Sequence, residues 1–328
     1  MAGTSRKITF VQAINEALHQ LMERDQSIVL IGQGITSPWY VGGTCDGLLD
    51  RFGAGRVIDT PVSENAVTGV AIGAALAGMR PILVHPRLDF MYLAMDQIAN
   101  HAANWHYMFG GQLSVPITIW GIINRGGEQS AQHSQALQAV FAHLPGLKVV
   151  LPSSPHSAKG LLVASVTDDN PVVYIDDRWL YEQEGNVEDG LFSLPIGKAS
   201  VIKKGKDVTI VTSSYMTVIA LGAARQLEKM GISSEIVDLL SVKPLDERTI
   251  LASVSKTGRA VILDGGWRSF GISAEISATI SEKLLSNLKA PVIRVALPDT
   301  PAPASSPLEK AYYPNEASVI TAVKKIMS

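Results

Sequence analysis

At 328 residues and 46% hydrophobic content, the chain is long enough to bury two cores at the usual domain size of roughly 150 residues. Its 28 Lys and Arg against 30 Asp and Glu leave a net charge of −2, without the basic excess that sequence-independent phosphate binding needs, which argues against a nucleic-acid partner. The single cysteine, Cys45, leaves no intrachain disulfide and no multi-thiolate metal site, and reads as a small buried thiol.

No stretch reaches the ~18 apolar residues of a membrane span. The most apolar one, Val67 to Met79, is short and rich in Gly and Ala, as suits a buried helix packed close to a neighbour. The opening MAGTSRKITF has neither an apolar core nor an Arg-rich amphipathic helix, so no targeting signal is read and a cytoplasmic location is expected.

In chain order, Ile8 to Leu21 carries apolar residues at helical spacing, with Thr9 as N-cap. Strands are predicted at Ser27–Ile31, Arg56–Asp59, Pro81–His85, Val115–Trp120, Leu147–Leu151 and Val172–Ile175. Helices are predicted at Gly47–Phe52, through the Gly/Ala segment after Ser63, at Asp89–Trp105 and at Ser157–Thr167. A Gly-rich loop runs from Gly121 to Ser134. The stretch Tyr181 to Lys206 breaks the rhythm with Gly, Pro and charge, and marks a linker. Beyond it strands at Asp207–Thr212, Ser234–Asp238, Arg259–Leu263 and Val292–Ala296 alternate with helices at Met216–Met230, Thr249–Lys256 and Ser273–Leu285. A Pro-rich segment, Pro298 to Pro307, precedes a last helix at Val319–Ile326. The pattern is two α/β domains in series, each a mostly parallel sheet flanked by helices. The expected bounds are 1–185 and 206–328, joined by the linker 186–205.

Open parallel sheets gather ligands at the carboxyl ends of their strands. After the second strand, Glu64 opens an otherwise uncharged Gly/Ala helix. It reads either as a helix-start carboxylate favoured by the dipole or as an acid/base group in a dry site. After the third strand come His85, Arg87 and Phe90, and after the fourth comes His133. Taken singly, a lone His is a structural hydrogen-bonder and Phe90 is core. No nucleophile elbow, Walker loop, HExxH or CxxC motif is present, and Gly53-Ala54-Gly55 lacks the context of a dinucleotide fingerprint.

Four longer segments, DTPVSENAVTGVAIGAALAGMRPI, DQIANHAANWHYMFGG, SAQHSQALQAVFAHLPGLKVVLPSSP and VDLLSVKPLDERTI, closely resemble the β subunit of 2-oxo acid dehydrogenase E1 components. DNPVVYIDDRWLY, TGRAVILDGGW and PLEKAYYP extend the likeness over essentially the whole chain. The resemblance implies the pyrimidine-binding and C-terminal domains of transketolase-like enzymes, and thiamine diphosphate as cofactor. Glu64 then matches the glutamate on N1′ of the aminopyrimidine ring, which favours the imino tautomer whose nitrogen removes the thiazolium C2 proton. Phe90 matches the aromatic packed against that ring, and His133 the histidine facing the substrate.

The GDG…N motif that holds Mg2+ and the diphosphate is absent; Cys45-Asp46-Gly47 comes nearest, with no preceding strand and no suitable Asn. In the family it belongs to an alpha subunit, so the resemblance implies an α2β2 heterotetramer with Mg2+ held by the alpha partner, inactivity of this chain alone, and a lipoylated E2 protein as acceptor. The family usually has Glu at the positions of Gln33 and His85, the pattern EFMTFNF where this chain reads HPRLDF with Arg87, and EEGW or HEGW at Asp264-Gly265-Gly266-Trp267. Arg87 could pair with a substrate carboxylate or phosphate, or form a surface salt bridge. Decarboxylation of a 2-oxo acid with acyl transfer to lipoamide leads. A split transketolase-like transfer to an aldehyde or sugar, and a non-catalytic scaffold or regulatory role, are the alternatives.

Overall fold

The computed structural model describes residues 5–328. The first four residues of the stretch judged for a targeting signal therefore lie outside the described residues. The chain forms two compact units: residues up to Asn124 with Val140–Ile196, and Arg125–Ala139 with Gly197–Ser328.

The chain enters through β1 (Ser5–Thr9) and α1 (Phe10–Arg24), followed by β2 (Ile28–Gly32), α2 (Pro38–Val41), α3 (Leu48–Phe52), β3 (Val57–Asp59) and α4 (Glu64–Leu76). Then come β4 (Arg80–His85), a 3-10 turn (Leu88–Ala94), a π-helical turn (Asp96–Ala102), α5 (Ala103–Met108), β5 (Thr118–Ile123) and α6 (Gln138–His143). The unit closes with β6 (Lys148–Val150), α7 (Pro155–Thr167), β7 (Val172–Asp177) and β8 (Glu184–Glu188). Six of these strands lie side by side in the order β6-β7-β5-β4-β2-β3, all parallel. Every residue of β2, β5 and β7 is buried, so helices cover both faces, as a parallel sheet requires.

Helix α1 shows how sequence makes the local structure. Thr9 accepts from the Gln12 N–H and Gln12 reaches back to the Thr9 N–H, a closed capping box. Phe10, Ala13, Ile14, Ala17, Leu18 and Leu21 form one buried stripe at helical spacing, against which α7 packs. Each large apolar side chain buried there stabilises by about 1.5–3 kcal/mol.

Four expectations need correction. Ile8 belongs to β1, and the charged stretch read wholly as linker contains β8, which pairs antiparallel with β1. The helix expected at Asp89–Trp105 is three pieces of different winding, starting at Leu88 and ending at Met108. The fourth predicted strand starts at Thr118 rather than Val115, because Pro116 has no N–H to give a ladder, and it continues through Ile123 into the expected loop.

The second unit contains β9 (Ser200–Lys203), β10 (Val208–Thr212), α8 (Tyr215–Lys229), β11 (Ser234–Asp238), β12 (Ser241–Lys243), α9 (Glu247–Thr257) and β13 (Ala260–Trp267). It ends with α10 (Ile272–Leu284), β14 (Ile293–Leu297), α11 (Ser306–Tyr312) and α12 (Glu316–Met327). Its five-stranded sheet runs β14-β13-β10-β11-β9, parallel except for β9. Ile210, Ile236, Val261 and Leu263 pack with Leu227 of α8 and Val319 and Val323 of α12 in one core. No helix among the described residues is long and apolar enough to cross a membrane. Cys45 is buried, and burial pushes its thiol up to about 12.

Candidate active site at the strand ends

The chain order along the first sheet reverses between β2 and β4: β3 lies to one side of β2, β4 and β5 to the other. A crevice opens at such a switch point, beyond the carboxyl ends. The backbones of β2 and β4 meet closely there, since a Cβ on Gly32 would lie 2.4 Å from the Val84 carbonyl oxygen. Gln33, half-buried, follows at once. The loop after β2 is tied to β3 by Asp59, whose carboxylate accepts from the Gly34 N–H and the Thr36 hydroxyl, each at 2.7 Å.

Glu64 is the first residue of α4 and is 7% exposed. A carboxylate at this end of a helix is favoured by the exposed N–H groups. One turn on, Thr68 is fully buried and its hydroxyl lies 3.4 Å from Nε2 of His85, the last residue of β4. Burial lowers the His85 pKa to about 4, so its imidazole is neutral at pH 7. The 3-10 turn then carries half-buried Phe90, whose N–H donates to the Arg87 carbonyl at 3.2 Å. The turn packs onto β5 at Gly121, where a Cβ would fall 2.5 Å from Leu88 Cδ1 and 2.7 Å from Met91 Sδ.

Arg87 is 9% exposed. Its Nη1 donates to the Pro86 carbonyl at 2.7 Å and reaches the Tyr40 carbonyl at 3.5 Å. Arg178, which opens the 3-10 turn after β7, donates to Asn124 Oδ1 at 2.9 Å and to the Trp39 and Tyr40 carbonyls at 2.9 and 3.3 Å. Arg178 is not among the residues that the sequence singles out, although ligands gathering at strand ends point equally to the end of β7. Nor is Asp176, fully buried in β7 and accepting from Trp120 Nε1 at 3.0 Å; burial raises its pKa to about 7.

His133 lies in the second unit, half-buried on the segment Arg125–Ala139. Glu128 and Ser130 on this segment adopt positive φ (62° and 63°), a strained conformation for residues with a Cβ. Contacts within the unit hold it. Arg125 donates to the Gly265 carbonyl at 3.2 Å, the Glu128 N–H to Glu309 Oε2 at 3.2 Å, and Gln138 Nε2 to Asp264 Oδ1 at 3.0 Å. A Cβ at Gly265 would sit 3.0 Å from the Arg125 guanidinium, so the Gly in DGGW makes room for that arginine. Asp264 is fully buried, which raises its pKa, and it accepts from the Gly266 and Ser273 N–H groups.

The strand ends of the first unit therefore present Gln33, Glu64, His85, Arg87 and Phe90, and the second unit carries His133. Two family models match: the transketolase pyrimidine binding domain over residues 6–183 and the transketolase C-terminal domain over residues 197–319. The beta subunit of an acetoin:2,6-dichlorophenolindophenol oxidoreductase of Cupriavidus necator is 42% identical, over 98% of each chain. The pyruvate dehydrogenase E1 component subunit beta of Rickettsia bellii is 41% identical, over 98% of each. A mitochondrial pyruvate dehydrogenase E1 beta subunit of Oryza sativa is 40% identical, over 99% of this chain and 87% of its own. A solved structure described as a split-gene transketolase, an inactive beta4 tetramer, matches over 98% of each chain with a TM-score of 0.79 at 24% identity, which speaks to the fold alone. The molecule is a transketolase-type protein. Within that class, the chain belongs to the E1 beta-like family of pyruvate and acetoin dehydrogenase beta subunits.

Proposed function

We propose that this chain is the beta component of a two-component thiamine diphosphate-dependent enzyme that decarboxylates a 2-oxo acid and passes the acyl unit to a lipoyl group. The observation that carries this reading is Glu64, a carboxyl buried to 93% at the head of an otherwise uncharged helix beside the sheet's switch point. Such a position suits one strong hydrogen bond to a ring nitrogen and supplies the low dielectric in which a shared proton moves readily. Bound there, thiamine diphosphate supplies a carbon nucleophile for attack on the 2-oxo carbon. Glu64 would hold N1′ of its ring, Phe90 would pack on the ring face, and neutral His85 would keep the space behind Thr68 free of charge. His133 would donate to, or take a proton from, the reacting oxygen.

Gln33 and His85 would tune proton delivery without adding a second carboxylate. Among the described residues no cluster of three or more His, Cys, Asp or Glu side chains is placed to hold a metal. An alpha subunit bearing GDG…N would bring Mg2+ and bind the diphosphate, in an α2β2 assembly. Exposed apolar side chains on α4, on the 3-10 turn packed against it and on α5, among them Val70, Leu93, Tyr107 and Met108, offer that partner a surface.

The test is co-expression with such an alpha chain, followed by measurement of stoichiometry, thiamine diphosphate binding and release of CO2 from 2-oxo acids with a lipoyl-domain acceptor. Equimolar assembly, cofactor binding and reduction of the lipoyl group are expected. Cofactor binding and CO2 release with transfer only to aldehydes or sugars would replace the dehydrogenase reading by that of a transferase. An assembled complex that binds no cofactor would overturn both.

A further inference from the structure

Arg87 poses an electrostatic problem that the contacts within the protein leave unsolved. A guanidinium stays charged in any protein environment, and a buried charge is costly unless it is paired. Arg87 is 91% buried, its Nε has no hydrogen-bond partner, and its Nη1 meets only neutral carbonyl oxygens. No carboxylate among the described residues forms an ion pair with it; Asp89, two residues on, acts on it only through the longer-range field. A second cation stands beside it: Arg178 and Arg87 converge on the same Tyr40 carbonyl oxygen, at 3.3 and 3.5 Å. Burial first, and the field of Arg178 next, hold Arg87 below the usual arginine pKa. Two crowded guanidiniums that repel each other are stable together when an anion lies between or against them.

The location gives that anion a purpose. Arg87 ends the connection from β4, at the switch point, and its carbonyl anchors the turn that presents Phe90. We propose that Arg87, backed by Arg178, is the receptor for an acidic group, a carboxylate or a phosphate, on the small molecule that reacts at this site. This rests on the function proposed above, which places the reacting centre near Phe90. The acidic group is one the substrate keeps, distinct from the carboxylate lost as CO2. The planar fork of Arg87 donates in two-pronged fashion to either oxyanion, and Arg178 supplies the second positive charge.

The test is calorimetric titration of the purified full chain with inorganic phosphate and, separately, malonate. One of the two should bind in the millimolar range, with affinity falling about tenfold or more in Arg87→Met, the order of loss for a charge-assisted contact. The exposed control Arg248→Met should bind as the parent does. Preference for phosphate identifies a phosphorylated substrate, and preference for malonate one with an additional carboxylate. If Arg87→Met does not fold, Arg87→Lys, which keeps the charge and loses the fork, should show a smaller loss in the same direction. Absence of binding of either anion to the parent chain, or undiminished binding by the folded Arg87 variant, overturns the proposal. Thiamine diphosphate binding by the assembled complex is followed in parallel. Failed anion binding with the cofactor bound rejects the arginine receptor alone, whereas anion binding by a complex that rejects the cofactor removes the function it was meant to serve.

Discussion

The two sides of the carboxyl end of β4 answer the same physical demand in opposite ways. Toward α4, His85 is buried beside Thr68; toward the next turn, Arg87 is buried beside Arg178. Burial penalises the charged form of both. Histidine escapes by shedding its proton, which is why its pKa falls to about 4, and it meets the Thr68 hydroxyl as a neutral ring. Arginine has no such escape at any ordinary pH, so the same burial leaves a cation that calls for an anion. Two residues apart on one connection, burial thus sets up a neutral wall suited to proton handling and a charged one suited to recognition.

Substitutions can break or sharpen this contrast, and the largest effect belongs to the neutral side. In the assembled complex Glu64→Gln should lower kcat by about 10²–10⁴, the usual worth of a positioned acid or base. Steady-state turnover checks this, and unchanged turnover would take Glu64 out of the chemistry. The close approach that shapes the crevice is next: Gly32→Ala should destabilise the first unit by about 1–3 kcal/mol, because its Cβ cannot share space with the Val84 carbonyl. Thermal or urea unfolding reads this directly.

Smaller and pH-dependent effects follow from the buried titrating groups. His85 has a pKa of about 4 when folded against 6.5 when free, so on acidification the unfolded chain takes up the proton first. Its contribution is lost as pH falls from 6.5 toward about 4, and His85→Gln should flatten that acid limb of stability. Asp176 works in the opposite sense, from 3.8 when free to about 7 when folded. The unfolded chain ionises first, stability is lost as pH rises through that window, and Asp176→Asn should flatten the decline toward pH 7. Melting curves between pH 4.5 and 8 separate the two limbs; parallel curves for parent and variant would contradict the assignment. The least effect is expected at the solvent-exposed pair Lys7–Glu184, which links β1 to β8. Lys7→Met should cost under about 1 kcal/mol, and less at high salt.

What could be read from the residues, and what could not, divides by the range of the interaction. The cap at Thr9 and the alternating strands and helices were legible, because each rests on neighbours within a few positions. Strand β8 was not. Its sequence EGNVE exposes most of its side chains and carries no apolar run, and its pairing with β1 joins Thr9 to Glu184 across most of the first unit. The change of winding between Leu88 and Met108 was hidden too, because its apolar spacing passes for an ordinary helix. At the site, Glu64, His85, Arg87 and Phe90 stood out as residues after strands. Their burial did not show, nor did the neighbour that gives Arg87 its meaning, since Arg178 comes 91 positions later.

By itself, then, the amino-acid order determined the class of fold and the two α/β domains, through its periodicity, and the membership of the E1 beta-like family, through its likeness to relatives along the whole chain. Only the tertiary structure decided which of the residues after the strands are dry, which titrate far from their usual range, and which like charges are forced together. Those properties depend on how completely distant segments exclude water from a group, and on which atoms replace that water.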